Sequence, residues 1–203
     1  MIVLVGFMGA GKTTVGRLLA TRLGLPFVDT DHVVEARAGR PVREIFTTDG
    51  EATFRDLEQA AVEEVLAGPQ AVVSLGGGAC GREATREVLR EHVVVHLDVS
   101  LPEVRRRTAG DVSRPVLRRP GLEELHAARR TVFHEIADVE VPTDGRRAED
   151  VAGGVFDAVA GRLAQPENGA RDAPLRAPGR PEAGIPAADG APAGASNDLA
   201  EDR

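Results

Sequence analysis

Residues 6 to 13 read Gly6-Phe7-Met8-Gly9-Ala10-Gly11-Lys12-Thr13, a G-x-x-x-x-G-K-[ST] run set between the apolar stretch Ile2 to Val5 and an amphipathic stretch that opens at Lys12. Glycines at these places let backbone N–H groups converge on one point, and the start of the following helix adds the positive end of its dipole. A loop of this kind needs a strand entering it and a helix leaving it, which confines the chain to α/β folds that bind ligands beyond the carboxyl ends of their strands. The loop suits a polyphosphate. Gly9, Ala10, Gly11, Lys12, Thr13 and Thr14 are the candidate nucleotide contacts: Lys12 neutralises β and γ oxygens, the Thr13 hydroxyl is placed to ligate Mg²⁺, and Thr14 supports the loop. The alternative is a glycine-rich turn carrying a solvent lysine. Against it, Lys12 is the only lysine among 25 basic residues, so an ammonium survives at this one place in a chain that otherwise uses arginine.

Around this loop, short β-branched runs alternate with longer amphipathic stretches, the pattern of βαβ units in a parallel sheet covered by helices on both faces. Strands are predicted at Ile2 to Val5, Pro26 to Val28, Ala71 to Leu75, Val93 to Leu97 and Val139 to Val141. Helices are predicted at Lys12 to Leu23, His32 to Ala38, Val42 to Phe46, Glu51 to Leu66, Arg82 to Glu91, Leu101 to Ala109, Leu122 to Ile136 and Ala148 to Leu163. The folded domain is expected to span 1–164. From 165 to 203 the chain turns to Ala, Pro and Gly with scattered charge, a composition that buries too little to offset its ordering entropy, and a disordered tail is expected there.

Composition narrows the function classes. With 32 acids against 25 bases the formal net charge is −7, so the chain lacks the basic field that gathers nucleic acid or anionic lipid. The opening residues carry no basic n-region and no run of about 18 apolar residues follows, so neither a signal peptide nor a membrane span is expected, and the single cysteine, Cys80, has no partner for a disulfide or a metal site. A cytoplasmic protein, monomeric and without nucleic-acid or membrane partners, is expected.

Four further groups carry chemistry. The second strand ends in Asp29-Thr30-Asp31, and alternation along an extended chain would put both carboxylates on one side, one for the Mg²⁺ shell and the other to accept a proton or hydrogen bond from a substrate hydroxyl. Helix capping by Asp31 is the competing explanation. Arg55 and Glu58 are three apart on a predicted helix, so the acid can orient the guanidinium. Gly76-Gly77-Gly78 follows the third predicted strand and lets backbone amides approach a ligand. Between Arg105 and Pro120 an arginine-dense segment broken by Gly110 and two prolines has the makings of a lid.

The glycine loop, Asp29-Thr30-Asp31, Phe54-Arg55-Asp56-Leu57-Glu58, Gly76-Gly77-Gly78, Arg114-Pro115 and Arg129 occur in an order and spacing that resembles the shikimate kinases. That resemblance, over 1–164, implies a three-layer P-loop kinase fold with a five-stranded parallel sheet and a short lid, transferring the γ-phosphoryl of ATP to the 3-hydroxyl of shikimate with Mg²⁺. It makes Lys12, Asp31 and Arg114 catalytic, and Asp31, Arg55, Gly77, Gly78 and Arg129 acceptor-binding, with Arg130 as the alternative to its neighbour. Glu58 would support Arg55, and Phe46 and Phe54 would line the acceptor pocket. Thr13 and, through water, Asp29 would hold the metal. Arg107 would pack against adenine and Arg146 would lie in the loop that contacts it. Gluconate and nucleoside-monophosphate kinases share the phosphate loop; paired arginines favour a carboxylated acceptor, which disfavours the nucleotide but not gluconate. A nucleotide-binding switch would not need a second-substrate set.

Overall fold

The computed structural model describes residues 1–109 and 121–163. Five parallel strands, β1 (Ile2–Val5), β2 (Phe27–Asp29), β3 (Val72–Ser74), β4 (Val93–Asp98) and β5 (Val139–Pro142), form one sheet in the order β2-β3-β1-β4-β5. The register pairs Leu4 with Ser74 on one side and with Val95 on the other, which brings the carboxyl ends of β1 and β3 side by side. β1 is buried throughout because it lies in the middle of a sheet covered on both faces.

Alternation along the strands divides the core. Ile2 and Leu4, with Val72, Val95, Leu97 and Val141, meet α1 (Lys12–Leu23) and α8 (Ala148–Leu163) through Val15, Leu19, Val151, Val155 and Val159. Val3 and Val5, with Val73 and Val94, face Val62 and Leu66 of α4 (Gly50–Ala67), Leu89 of α5 (Glu83–Leu89), and Phe133 and Ile136 of α7 (Leu122–Ile136). A smaller cluster of Val34, Ile45, Phe54 and Ala61 joins α2 (Thr30–Ala38) and α3 (Val42–Thr48) to α4. Helix α6 (Leu101–Arg107) is capped by Ser100, whose hydroxyl accepts from the Glu103 N–H at 3.4 Å. Among the described residues no helix is long and apolar enough to cross a membrane.

The five strands and eight helices expected from the pattern are all present among the described residues, with α1, α7 and α8 at the expected bounds. One shift matters. Helix α2 begins at Thr30, two residues early, because the Asp29 side chain accepts from the Asp31 N–H at 3.2 Å and caps the helix. The chain is therefore not extended from Asp29 to Asp31. Asp29 sits at the cap and Asp31 in the first turn, so the expected alternation is replaced by helical geometry, and the capping residue is Asp29 rather than Asp31.

Candidate active site

The loop between β1 and α1 turns on Gly6, at φ +148°, where a side chain would place its Cβ 2.6 Å from the Leu97 carbonyl oxygen on the neighbouring strand. Gly9 and Gly11 also have positive φ, and Gly11 precedes α1 with no capping side chain, so the first-turn N–H groups of α1 face the loop. The Lys12 ammonium donates to Gly6 O at 2.9 Å and Phe7 O at 3.3 Å, which holds it across the mouth of the loop. Thr13 Oγ1 donates to Asp29 Oδ2 at 2.9 Å, so a hydroxyl and a carboxylate oxygen meet at the strand ends. Hard oxygen donors of this kind fit Mg²⁺, which keeps much of its water and takes one or two protein oxygens beside phosphate. Among the described residues no cluster of three or more acids, histidines or cysteines forms a metal cage.

Thr30 stands between the two acids and is fully buried. Its hydroxyl donates to Ser74 O at 3.3 Å and accepts from the Gly76 N–H at 3.2 Å, tying the start of α2 to the turn after β3. Nothing in the local sequence marked this role. Asp31 is pushed up to about 6 by burial, and then by the charges of Asp29 and Glu58, with Lys12 pulling the other way.

The three glycines after β3 meet three different groups. A methyl at Gly76 would lie 2.5 Å from Glu58 Oε1 and 2.6 Å from Asp31 Oδ1, one at Gly77 3.7 Å from Arg129 Nη1, and one at Gly78 2.4 Å from Arg55 Nη1. Gly76, not singled out from the sequence, is therefore where two carboxylates close in. Arg55 donates to Glu58 Oε2 at 2.6 Å and to Glu51 Oε1 at 3.1 Å, and its guanidinium lies 5.3 Å from the centre of the Phe54 ring and 5.9 Å from that of Phe46. The two rings pack with centroids 4.4 Å apart. Glu58 is 3% exposed, and burial lifts its carboxyl above the usual range against the pull of Arg55 and Arg129.

The two neighbouring arginines of α7 part company. Arg130 is exposed and grips both carboxylate oxygens of Asp98 on β4 at 2.8 and 2.7 Å. Arg129 turns to the glycine turn, and burial and the nearby Arg55 charge lower its affinity for its proton. Arg129 is thus the one brought to Gly77, Arg55 and Glu58.

On the other side of the phosphate loop, Gly9, Ala10, Gly11, Thr14, Arg107, Thr143, Arg146 and Val151 line a cleft of ≈ 210 Å³. Arg107 lines it with its guanidinium engaged, donating to Gly9 O at 3.0 Å, to Thr143 Oγ1 at 3.2 Å and to Glu103 at 2.7 Å. The same arginine therefore braces the phosphate loop against the end of β5. Arg146 donates to Pro142 O and Asp150 O, each at 3.1 Å, across the β5–α8 turn. Of the expected lid, residues 105–109 are described, whereas residues 110–120 with Arg114 lie outside the described residues, as does the expected tail.

Comparison with known proteins agrees with this arrangement. The family model for shikimate kinase matches residues 8–160. A shikimate kinase of Salinispora tropica is 49% identical over 153 residues, 74% of this chain and 92% of that protein. One from Streptomyces coelicolor is 44% identical over 162 residues, covering 78% and 95%. Among solved structures, shikimate kinase from Acinetobacter baumannii in complex with shikimate aligns with a TM-score of 0.76 at 35% identity, over 79% of this chain and 93% of that one.

Proposed function

The chain belongs to the shikimate kinase family, and on that premise we propose that residues 1–164 form its catalytic domain and transfer the γ-phosphoryl group of ATP to the 3-hydroxyl of shikimate. The observation that carries the acceptor reading is the meeting of Arg55, Arg129 and Asp31 around Gly76 to Gly78, beside the phosphate loop. Two guanidinium groups suit a carboxylate, and one carboxyl with a raised proton affinity suits a hydroxyl.

ATP lies with its phosphates in the Gly9 to Thr14 loop and its base in the cleft lined by Arg107 and Arg146. Lys12 exchanges its two carbonyl partners for β and γ oxygens. Thr13 and, through water, Asp29 would hold Mg²⁺, which would supply neutralisation of phosphate charge. Gly77 and Gly78 admit the ring of shikimate, and Arg55, oriented by Glu58, grips its carboxylate together with Arg129. Asp31, near 6, is largely ionised at neutral pH and accepts the proton of the 3-hydroxyl as the oxygen attacks phosphorus. Arg114 is assigned by resemblance to close over the transferred group. The enzyme acts as a cytoplasmic monomer.

The test is ADP release from Mg-ATP with shikimate, quinate, gluconate and nucleoside monophosphates offered in turn. Turnover with shikimate alone, lost in Lys12→Met, is expected; turnover confined to another acceptor would remove Arg55 and Arg129 from carboxylate recognition of shikimate.

A further inference from the structure

Phe7 occupies the first variable position of the phosphate loop, yet its side chain leaves that loop altogether. The ring is 3% exposed and packs against the helix that carries the acceptor arginine. The Arg129 guanidinium lies over it, 5.6 Å from the ring centre, and His126, one turn earlier on α7, meets it edge-on at 4.9 Å while bonded through Nε2 to Val99 O at 2.8 Å. Meanwhile the Phe7 carbonyl accepts from Lys12 at 3.3 Å and from the Ala10 N–H at 3.1 Å. One residue thus has its backbone in the phosphate cradle and its ring under Arg129.

The two acceptor arginines are held by opposite means. Arg55 spends two N–H groups on Glu58 and Glu51. Arg129 forms no ion pair with any described acid, the Glu58 and Glu51 charges acting on it from beyond ion-pair range, and its guanidinium lies over the face of Phe7. An aromatic face attracts a guanidinium through its quadrupole but accepts no in-plane hydrogen bond, so it fixes the plane of the group and leaves its five donors for a ligand. A carboxylate in the same place would hold Arg129 more tightly and use up the fork that a substrate carboxylate needs.

We propose that Phe7 is a positioning residue that presents Arg129 to the acceptor carboxylate. The proposal rests on the acceptor reading given above. It is distinct from a packing role, because packing needs only the shape of the ring whereas orientation of a cation needs its electron density.

The experiment replaces Phe7 with phenylalanine carrying one, two and three ring fluorines, which drain the negative face with little change of size. Shikimate and ATP affinities are measured by calorimetry, and Tm by scanning. The shikimate Kd is expected to rise stepwise, about five-fold over the series, while ATP affinity and Tm stay constant. In an Arg129→Gln background the stepwise rise should disappear. A shikimate Kd that does not follow fluorination, or one that moves in parallel with ATP affinity and Tm, would overturn the proposal while leaving shikimate as the acceptor. Failure of the unmodified protein to bind shikimate at all would overturn the acceptor reading and this proposal with it.

Discussion

Asp31 Oδ1 and Glu58 Oε1 converge on the same point beside Gly76, which places the two oxygens within about 5 Å of each other. Glu58 thereby has a different neighbour on each oxygen, Arg55 on Oε2 and Asp31 across from Oε1. The acid that holds Arg55 also faces Asp31, the acid proposed above to receive the proton.

Gly76→Ala should drive these carboxylates apart, since the new methyl has about 2.5 Å of room on that side. We expect a folded protein with kcat lowered at least ten-fold, about 1.4 kcal/mol of lost transition-state stabilisation. Gly77→Ala, whose methyl has its nearest neighbours at 3.7 to 3.8 Å, should leave Tm unchanged. Steady-state kinetics and thermal melts of the pair separate crowding of the acids from loss of a glycine as such.

Asp31→Asn should abolish turnover yet stabilise the fold at neutral pH. Folding raises the Asp31 pKa from 3.8 to about 6, so the native state holds this proton more tightly than the unfolded chain does. The stabilising contribution is complete below pH 3.8 and is lost as pH rises through about 6. The Tm of the variant should therefore match wild type in acid and exceed it above pH 6, with a ceiling of roughly 3 kcal/mol. A constant Tm difference across that range would show that burial does not penalise the Asp31 charge.

Arg129→Ala and Arg130→Ala should behave unlike each other although they are adjacent. The first removes a guanidinium from the glycine turn and should raise the shikimate KM ten-fold or more with the ATP KM little changed. The second breaks an exposed pair with Asp98 and should cost less than about 1 kcal/mol of stability and leave both KM values near wild type. Reversal of this order would place Arg130 in the site.

Arg55→Ala should do double damage. It should raise the shikimate KM, and it strands the Glu58 carboxylate, 3% exposed, without its partner at 2.6 Å. A loss of about 3 kcal/mol or more in unfolding free energy is expected, and Arg55→Ala combined with Glu58→Gln should recover much of the stability without recovering the KM. Denaturant melts of the single and double variants check this.

Much of this site was legible because its parts follow strand ends. The phosphate loop, the Asp29 to Asp31 segment and the three glycines each close a β-branched run, and the sheet order sets the first and last of these side by side. What escaped depends on contacts between segments far apart in sequence. Thr30 reads as a polar residue at a helix start, and its burial arises only when β2 pairs with β3 and Ser74 O comes within 3.3 Å. The choice between Arg129 and Arg130 turns on Asp98, a strand residue with no sequence proximity to either. Arg107 was expected against a base, and its bonds to Gly9 and Thr143 join loops that nothing local connects. Helix α2 starts early because a cap outcompetes one more residue of strand.

The sheet order also separates what is general in the enzyme from what is particular. The phosphate loop, Arg107 and the nucleotide cleft belong to β1, β5 and the helices packed beside them, whereas Asp31, Arg55, Glu58 and the three glycines belong to α2, α4 and the turn after β3. Among the described residues Arg129 comes to this turn from α7, which shares a face of the sheet with α4, and it does so over the ring of Phe7. Selection can thus rework the acceptor half while the nucleotide half stays as it is, so a change of acceptor in a descendant of this chain would be written first in α4 and the turn after β3.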